Sequence, residues 1–147
     1  MLAGRAYGFV SDSLERVRSR RLLRKHGVCI GKPFRAFATR LDAQGVAGTF
    51  TGTFRLLARP GGVGYEFRIP DDNGSPELLS QDTAMLRLGE EGGDLVVRWE
   101  YEGNDLEKGT LGYRGVMECR LHGGAPILVK YYNDRPSAGW MKFESAD

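Results

Sequence analysis

Three runs of alternating residues decide the fold: Leu95-Val-Val-Arg-Trp-Glu-Tyr-Glu102, Leu111-Gly-Tyr-Arg-Gly-Val-Met-Glu-Cys-Arg-Leu121 and Ile127-Leu-Val-Lys-Tyr-Tyr-Asn-Asp-Arg-Pro-Ser-Ala-Gly-Trp-Met-Lys-Phe143. In the first run, the large apolar side chains at positions 95, 97, 99 and 101 share one face, and Arg98 and Glu100 stand on the other. A period of two is typical of β-strands with one buried face. The cluster Asn133–Ser137 has turn chemistry, so we interpret the third run as a hairpin.

Similar alternating segments, separated by turn clusters rich in glycine, precede these runs over residues 28–41, 46–58, 63–69 and 83–88. The count is about eight strands that follow one another in the chain. We therefore predict an all-β fold, an antiparallel and lipocalin-like barrel formed by residues 28–147, with a basic amphipathic helix before it. An eight-stranded barrel either packs solid or holds one small ligand. Gly48 and Gly52 lie inside a predicted strand, which favours bending or close backbone approach there.

Residues 1–27 form the predicted helical segment. Asp12 followed by Glu15 is a variant of the capping box, and Gly27 stands where a helix would end. An apolar stripe of moderate length recurs at spacings of three and four residues, at Tyr7, Val10, Leu14 and Val17.

Charge divides the chain near the end of this segment. Residues 1–35 carry nine Lys or Arg against two acidic residues, whereas the remainder is acidic overall. The basic tract from Arg16 to Lys25 is consistent with a solvated helix face packed on the barrel, with anionic lipid headgroups, or with nucleic-acid phosphate. Since no recognised nucleic-acid motif accompanies the tract, we expect an anionic membrane surface rather than a nucleic acid duplex as its partner.

The composition argues against metal, redox and catalytic chemistry. Cys29 and Cys119 lack the spacing of a metal site and predict free thiols in a reducing cytosol, so we expect no metal and no cofactor. His26 and His122 stand apart, and no phosphate loop or nucleophile motif is present. We therefore expect a protein that is not an enzyme. No apolar run in the sequence is long enough to span a bilayer, which predicts a cytoplasmic protein, peripheral at most at the inner membrane.

Basic and aromatic side chains on the predicted strands are the remaining chemistry. Arginine pairs with phosphate through two parallel hydrogen bonds, and aromatic faces stack on bases. A pocket that combines the two suits a nucleotide-like anion. The alternative is that the aromatic residues form the core and the arginines lie outside the barrel.

A longer pattern runs through the same region: Val97-x-Trp99-x-Tyr101-x-Gly-Asn104, then Tyr113-x-Gly115-x-Met-Glu118, then Leu128-x-x-Tyr131-Tyr132-Asn-Asp-Arg135-x-x-x-Gly139-x-Met141. It resembles the membrane-associated β-barrel effectors of bacterial anti-phage signalling by cyclic oligonucleotides, and Gly48-Thr-Phe-Thr-Gly52 is similar to the opening strand of that family. The resemblance implies a barrel that binds a cyclic di- or oligonucleotide, with a homo-oligomer as a further expectation. The candidate ligand-binding residues are Arg98, Trp99, Tyr101, Tyr113, Tyr131 and Arg135.

This chain departs from that family because its sequence contains no transmembrane helix. The competing prediction is a lipocalin-like or haem-binding barrel that carries a small apolar ligand, with His122 as the candidate iron ligand. The interior distinguishes the two classes. Inward arginines favour an anionic nucleotide, whereas an apolar interior with His122 directed inwards favours haem or lipid.

Overall fold

One helix is followed by eight antiparallel strands that close into a barrel. The computed structural model describes residues 2–105 and 110–144, with the side chains of residues 14–104 and 112–144. The elements are α1 (Leu2–Lys25), β1 (Pro33–Leu41), β2 (Ala47–Arg59), β3 (Gly62–Pro70), β4 (Pro76–Glu91), β5 (Asp94–Asp105), β6 (Thr110–His122), β7 (Ala125–Asn133) and β8 (Ser137–Phe143). Each strand pairs with the next one in the chain, and β8 pairs with β1 to close the sheet. The predicted all-β barrel with a helix before it is confirmed.

The two ends of the barrel differ in their connections. The hairpins β2–β3, β4–β5 and β6–β7 turn through two residues each, at Pro60-Gly61, Gly92-Gly93 and Gly123-Gly124. Both glycines of the last two turns have positive φ, as the tight turns that match strand twist require. The described connections at the other end are longer, with five residues between β1 and β2, five between β3 and β4, and three between β7 and β8. We call the first end the closed end and the second the open end.

Large side chains fill the half of the barrel next to the closed end. Phe54 stacks on Tyr65 with ring centroids 5.3 Å apart, and Tyr65 lies 4.9 Å from Trp99. The indole nitrogen of Trp99 donates to the carbonyl of Val63 over 2.8 Å, so its polar atom is satisfied inside the core. Leu95 and the other inward side chains of β5 are buried, as the alternation in the sequence predicts.

Helix α1 covers the closed end with its C-terminal half. Leu22 belongs to the barrel core, and Ser19 is only 2% exposed. The helix ends at a Schellman motif, in which Val28 N donates to Leu23 O over 3.1 Å and Gly27 has a φ of 61°. The role predicted for Gly27 is therefore confirmed.

The apolar stripe predicted for α1 is not its packing face. Leu14 and Val17 are 66% and 51% exposed, and the side chains of Tyr7 and Val10 lie outside the described residues. The helix packs instead through Ser19 and Leu22, because its orientation is set by the shape of the closed end rather than by its most apolar stripe. In the part of the chain that the structure describes, no helix is long and apolar enough to cross a membrane.

Strand β4 is the element for which the sequence prediction was wrong in detail. It spans Pro76–Glu91, whereas the alternation indicated a short strand over 83–88. Its pairing with β5 shifts register between Asp82 and Ala84 and again between Met85 and Arg87. Leu86, predicted to share a face with Leu88, is consequently 49% exposed while Leu88 is buried. A bulge adds a residue to one strand, and this breaks the period of two.

Candidate functional site

A cavity of about 510 Å³ opens at the open end of the barrel. Met117 and Met141 lie at its floor, next to the packed half. Its walls carry five aromatic rings, and its lining also includes polar groups. The lining residues include Arg40, Phe50, Phe67, Ile69, Leu79, Ser80, Tyr101, Asn104, Tyr113, Met117, Tyr131, Asn133, Arg135 and Met141. Cavities of a few hundred Å³ with apolar walls and a few convergent polar groups are typical of small-molecule sites.

The cavity exists because aromatic rings lie flat against inward-facing glycines. Tyr101 is the cross-strand partner of Gly115, and Tyr113 is the partner of Gly103 on the same pair of strands. A Cβ atom added at Gly115 would lie 2.8 Å from Tyr101 Cε1, so only glycine lets the ring settle on the wall. The same arrangement recurs for Tyr131 on Gly139, and diagonally for Phe67 on Gly52. Rings that lie along the wall leave the centre of the barrel open.

Three tyrosines line one side of this cavity. Tyr101 lies between the other two, with edge-to-face ring contacts to Tyr113 at 6.2 Å and to Tyr131 at 6.4 Å. The Tyr131 hydroxyl donates to the Thr39 carbonyl over 3.2 Å, and the Asn133 amide donates to the Tyr101 hydroxyl over 3.4 Å.

Burial raises the pKa of two of these tyrosines. It raises the pKa of Tyr131 to about 12, with a further increase from Tyr113 and an opposing effect of Arg40. Burial likewise raises the pKa of Tyr101 well above its usual value. Phenols are already uncharged at neutral pH, and the raised pKa values of Tyr101 and Tyr131 extend the neutral form to more alkaline pH.

Both charged residues that line the cavity in the described part of the chain are arginines. Arg135 lies over the ring of Tyr113, with its guanidinium carbon 5.5 Å from the ring centroid. Arg40 is at the other side of the tyrosine group, close enough to Tyr131 to lower the pKa of that phenol. The two charged side chains of the described lining can therefore attract an anionic group, while the carboxylates of Asp42, Asp71 and Asp134 lie in the turns around the opening.

Asx side chains hold three of the turns around the opening. Asp42 Oδ1 accepts hydrogen bonds from the amides of Gln44 and Val46, each at 2.9 Å. Asp71 holds the β3–β4 turn in the same manner. In the β7–β8 turn, Asn133 Oδ1 accepts from Ser137 Oγ at 2.8 Å and from the Arg135 amide at 3.1 Å. The Asn133–Ser137 turn was predicted, and Asn133 is the residue that pins it.

Four of the six predicted site residues meet at this cavity: Tyr101, Tyr113, Tyr131 and Arg135. The other two do not. Trp99 faces inwards, but it lies one step nearer the closed end, fully buried in the packed core. Arg98 lies on the outer surface, where its guanidinium contacts Glu118 at 2.9 Å. The outer surface also holds the ion pairs of Arg55 and Arg68 with Glu66.

Sequence reasoning missed Arg40, Phe50 and Phe67 as members of one site. The signal for Arg40 was present, because Phe34, Ala36 and Ala38 share its parity on β1 and all three are buried. Phe50 and Phe67 each share one face of a predicted strand with other apolar residues, but nothing in the alternation indicated that their rings meet, 6.1 Å apart, at the cavity wall.

The histidines lie away from the cavity. His122 is at the β6–β7 turn of the closed end, where its Nδ1 contacts Asp94 Oδ1 at 2.7 Å and its side chain is 74% exposed. That contact is the main cause of a lowered pKa of Asp94. Among the described residues, no group of three or more His, Cys, Asp or Glu could hold a metal ion.

Comparison with protein-family models, with curated proteins and with solved structures finds no match for this chain.

Proposed function

We propose that the barrel binds a cyclic di- or oligonucleotide in the cavity at its open end and catalyses no reaction. The observation that carries this proposal is the pairing of neutral aromatic walls with two arginines, Arg40 and Arg135, around one opening. Bases stack on aromatic faces, and guanidinium groups bind phosphate oxygens through two parallel hydrogen bonds. A cyclic nucleotide presents both groups in one molecule.

The lining chemistry supports binding over catalysis. The described lining residues include no carboxylate, histidine, cysteine or lysine that would serve as a general base or a nucleophile. Burial raises the pKa of Tyr101 and Tyr131 further above neutrality, which suits stacking and hydrogen-bond donation rather than proton abstraction.

The biological setting is suggested by the resemblance of the sequence to the β-barrel effectors of bacterial anti-phage signalling by cyclic oligonucleotides. In that setting the protein would act in the bacterial cytoplasm as a receptor for a defence messenger, as a sensor or as a sequestering protein.

Titration calorimetry with cyclic di- and trinucleotides tests the ligand class, with wild type, Arg135→Lys and Arg135→Ala compared side by side. We expect both variants to bind at least about tenfold more weakly, because lysine cannot reproduce the bidentate fork, and we expect binding to weaken with salt. Arg98→Ala is the matched control, since it removes an arginine from the outer surface, and we expect it to bind like wild type. Equal loss of affinity in Arg98→Ala, or lowered stability of Arg135→Ala with unchanged affinity, would contradict the proposed site.

A second candidate is an apolar ligand with an acidic end, such as a fatty acid. The observation in its favour is the second wall of the cavity, where Phe50, Phe67, Ile69 and Leu79 present only apolar groups. The position of His122 gives haem no comparable support. Palmitate and haem therefore belong in the same calorimetric panel, and tighter binding of palmitate than of any cyclic nucleotide would select the second candidate.

We also propose an anionic membrane surface as the partner of residues 1–27. Leu14 and Val17 are exposed on the helix face that points away from the barrel, and Arg21 and Arg24 are exposed near them. Deletion of the segment is not a clean test, because Leu22 belongs to the core. The sharper test compares vesicles with and without anionic lipid, using wild type and the double variant Arg21→Glu/Arg24→Glu. The proposal requires that only wild type sediments, and only with the anionic vesicles.

Formation of a homo-oligomer stays a prediction. Sedimentation velocity over a range of protein concentrations, with and without the nucleotide that binds, checks it directly.

A further inference from the structure

The wall of the barrel divides between β3 and β4 near the closed end. The two strands pair from Pro70↔Pro76 as far as Glu66↔Gln81. Beyond that point, β4 continues to Glu91 and pairs with β5 on its other side only. Within the described residues, the edge of β4 over 83–88 therefore has no strand partner on the side of β3, and at its far end the Leu88 carbonyl accepts a hydrogen bond from Arg18 Nη1 of α1 over 3.1 Å.

Side chains supply hydrogen bonds to the backbone groups of β3 where β4 no longer pairs with it. The Tyr65 amide donates to Asp82 Oδ1 over 2.9 Å, and the Val63 carbonyl accepts from the Trp99 indole. Arg59 also binds the Asp82 carboxylate, which is 7% exposed, and Gly64 leaves the room that this pair occupies. The separation of the two strands is therefore stabilised by its own hydrogen bonds, and it is not a frayed strand end.

The edge of β4 faces an open cleft of about 960 Å³, bounded by α1, by the β2–β3 turn and by β4 itself. We call it the β3–β4 cleft. Thr83, Ala84, Leu86 and Arg87 are exposed beside it. An exposed strand edge next to an open groove is the arrangement to which an extended peptide adds by backbone hydrogen bonds.

The charged residues of the β3–β4 cleft indicate which kind of peptide would bind there. Four arginines line the cleft, Arg16, Arg18, Arg59 and Arg87, against the carboxylates of Glu15 and Asp82. Those two carboxylates are already paired, Glu15 with Arg18 at 3.7 Å and Asp82 with Arg59 at 2.9 Å. The cleft is positive overall, and a second copy would bring the same arginines towards it. Like charges across an interface oppose binding, so the charge pattern disfavours pairing of two β4 edges.

We propose that the β3–β4 cleft is a docking site for an extended acidic peptide segment of a partner protein, which adds as a strand to the edge of β4. The site lies at the closed end and is separate from the ligand cavity. A barrel that binds a small molecule at one end and a partner strand at the other has the surfaces that a receptor needs to pass on a signal.

The test uses the full chain and a synthetic peptide of alternating threonine and glutamate, with a threonine–lysine peptide as the charge control. Amide chemical shifts are followed by NMR during titration with each peptide. We expect saturable shifts confined to residues 62–65 and 83–88 with the glutamate peptide, and none with the lysine peptide. Equal binding of both peptides, shifts located elsewhere, or no shifts at millimolar peptide would overturn the proposal.

Two further comparisons separate strand addition from simple charge attraction. Arg87→Glu should weaken binding of the glutamate peptide at least about tenfold. Arg114→Glu, which changes an exposed arginine at the open end, should leave the affinity for that peptide unchanged. Melting temperatures of both variants establish that they fold.

Peptides N-methylated on alternate residues lack the amide donors of one edge. One of the two possible methylation patterns should abolish binding and the other should preserve it. Tight binding of both methylated peptides would show that no ladder forms, and concentration-dependent dimerisation through residues 83–88 without peptide would show a second copy as the occupant.

Discussion

The two halves of the barrel are built from the same strands, yet one is solid and the other is hollow. Towards the closed end, the inward positions carry bulky side chains such as Phe54, Tyr65 and Trp99, which pack against one another. Towards the open end, inward aromatic residues alternate with inward glycines, and the rings of Tyr101, Tyr113 and Tyr131 lie against glycines of the neighbouring strand.

In this barrel, residue size at inward positions decides which half packs solid and which half encloses a cavity. A ring placed opposite a bulky residue must point to the centre, whereas a ring opposite a glycine can lie along the wall. The turns follow the same division, since two-residue hairpins close the packed end and longer connections surround the cavity. The following predictions test this contrast.

The largest effect is expected in the packed half. Trp99→Ala should lower the free energy of unfolding by about 3–5 kcal/mol, because it leaves a cavity among fully buried rings. Urea unfolding measures the change. Tyr132→Ala removes an aromatic ring that is 60% exposed on the outer surface, and it should cost less than about 0.5 kcal/mol. Similar losses for the two variants would mean that the closed half is not the packed core.

The second-largest loss of stability is expected for a substitution of the glycine opposite Tyr101. Gly115→Ala should destabilise the barrel by about 1–3 kcal/mol, because the new methyl group would overlap the backbone carbonyl of Tyr132 as well as the Tyr101 ring. Gly48→Ala is the control, since a Cβ atom there meets nothing within 4 Å. Thermal unfolding of the two variants, compared with wild type, decides whether glycine is required at the wall or merely tolerated.

A smaller effect is expected for the Tyr131 hydroxyl. Tyr131→Phe should cost about 1 kcal/mol at neutral pH, where it removes the hydrogen bond to Thr39. Burial raises the pKa of Tyr131 to about 12, so the unfolded chain loses this proton at lower pH than the folded one. Wild type should therefore lose stability as the pH rises from 10 towards 12, and the deficit of Tyr131→Phe should narrow over that range. Unfolding at pH 8 and at pH 11 measures both differences, with Tyr132→Phe as the control, and a deficit that does not change with pH would contradict the assignment.

The smallest change in stability, below about 1 kcal/mol, is expected for Gly103→Ala, because the three atoms nearest to a Cβ atom there all belong to the Tyr113 side chain, which can rotate away, and none to the backbone. That ring should swing into the cavity and occupy part of it. We expect near-normal thermal unfolding together with weaker binding of the cyclic nucleotide in calorimetry. Unchanged affinity would show that the Tyr113 side of the cavity is not used by the ligand.

The alternation in the sequence was sufficient to predict eight consecutive antiparallel strands, although it misplaced the bounds of β4. The period of two located the strands, and the apolar positions of β5 and β6 identified their buried faces, which the structure confirms. The cross-strand pairs of tyrosine with glycine were also implicit in the sequence, because the Tyr-x-Gly segments of β5 and β6 run antiparallel to each other. These features are local, since they depend on backbone geometry and on the nearest strand.

The tertiary structure alone decided which basic residues face the cavity, which face of α1 packs, and where the sheet divides. The alternation along β5 could assign Arg98 to the face opposite Trp99. Only the pairing of β8 with β1 brought Arg40 and Arg135 to one opening. The bulges in β4 moved Leu86 outwards although Leu88 stayed buried. The physical reason is that alternation defines two faces for each strand by itself, whereas curvature, bulges and closure depend on contacts between residues far apart in the chain.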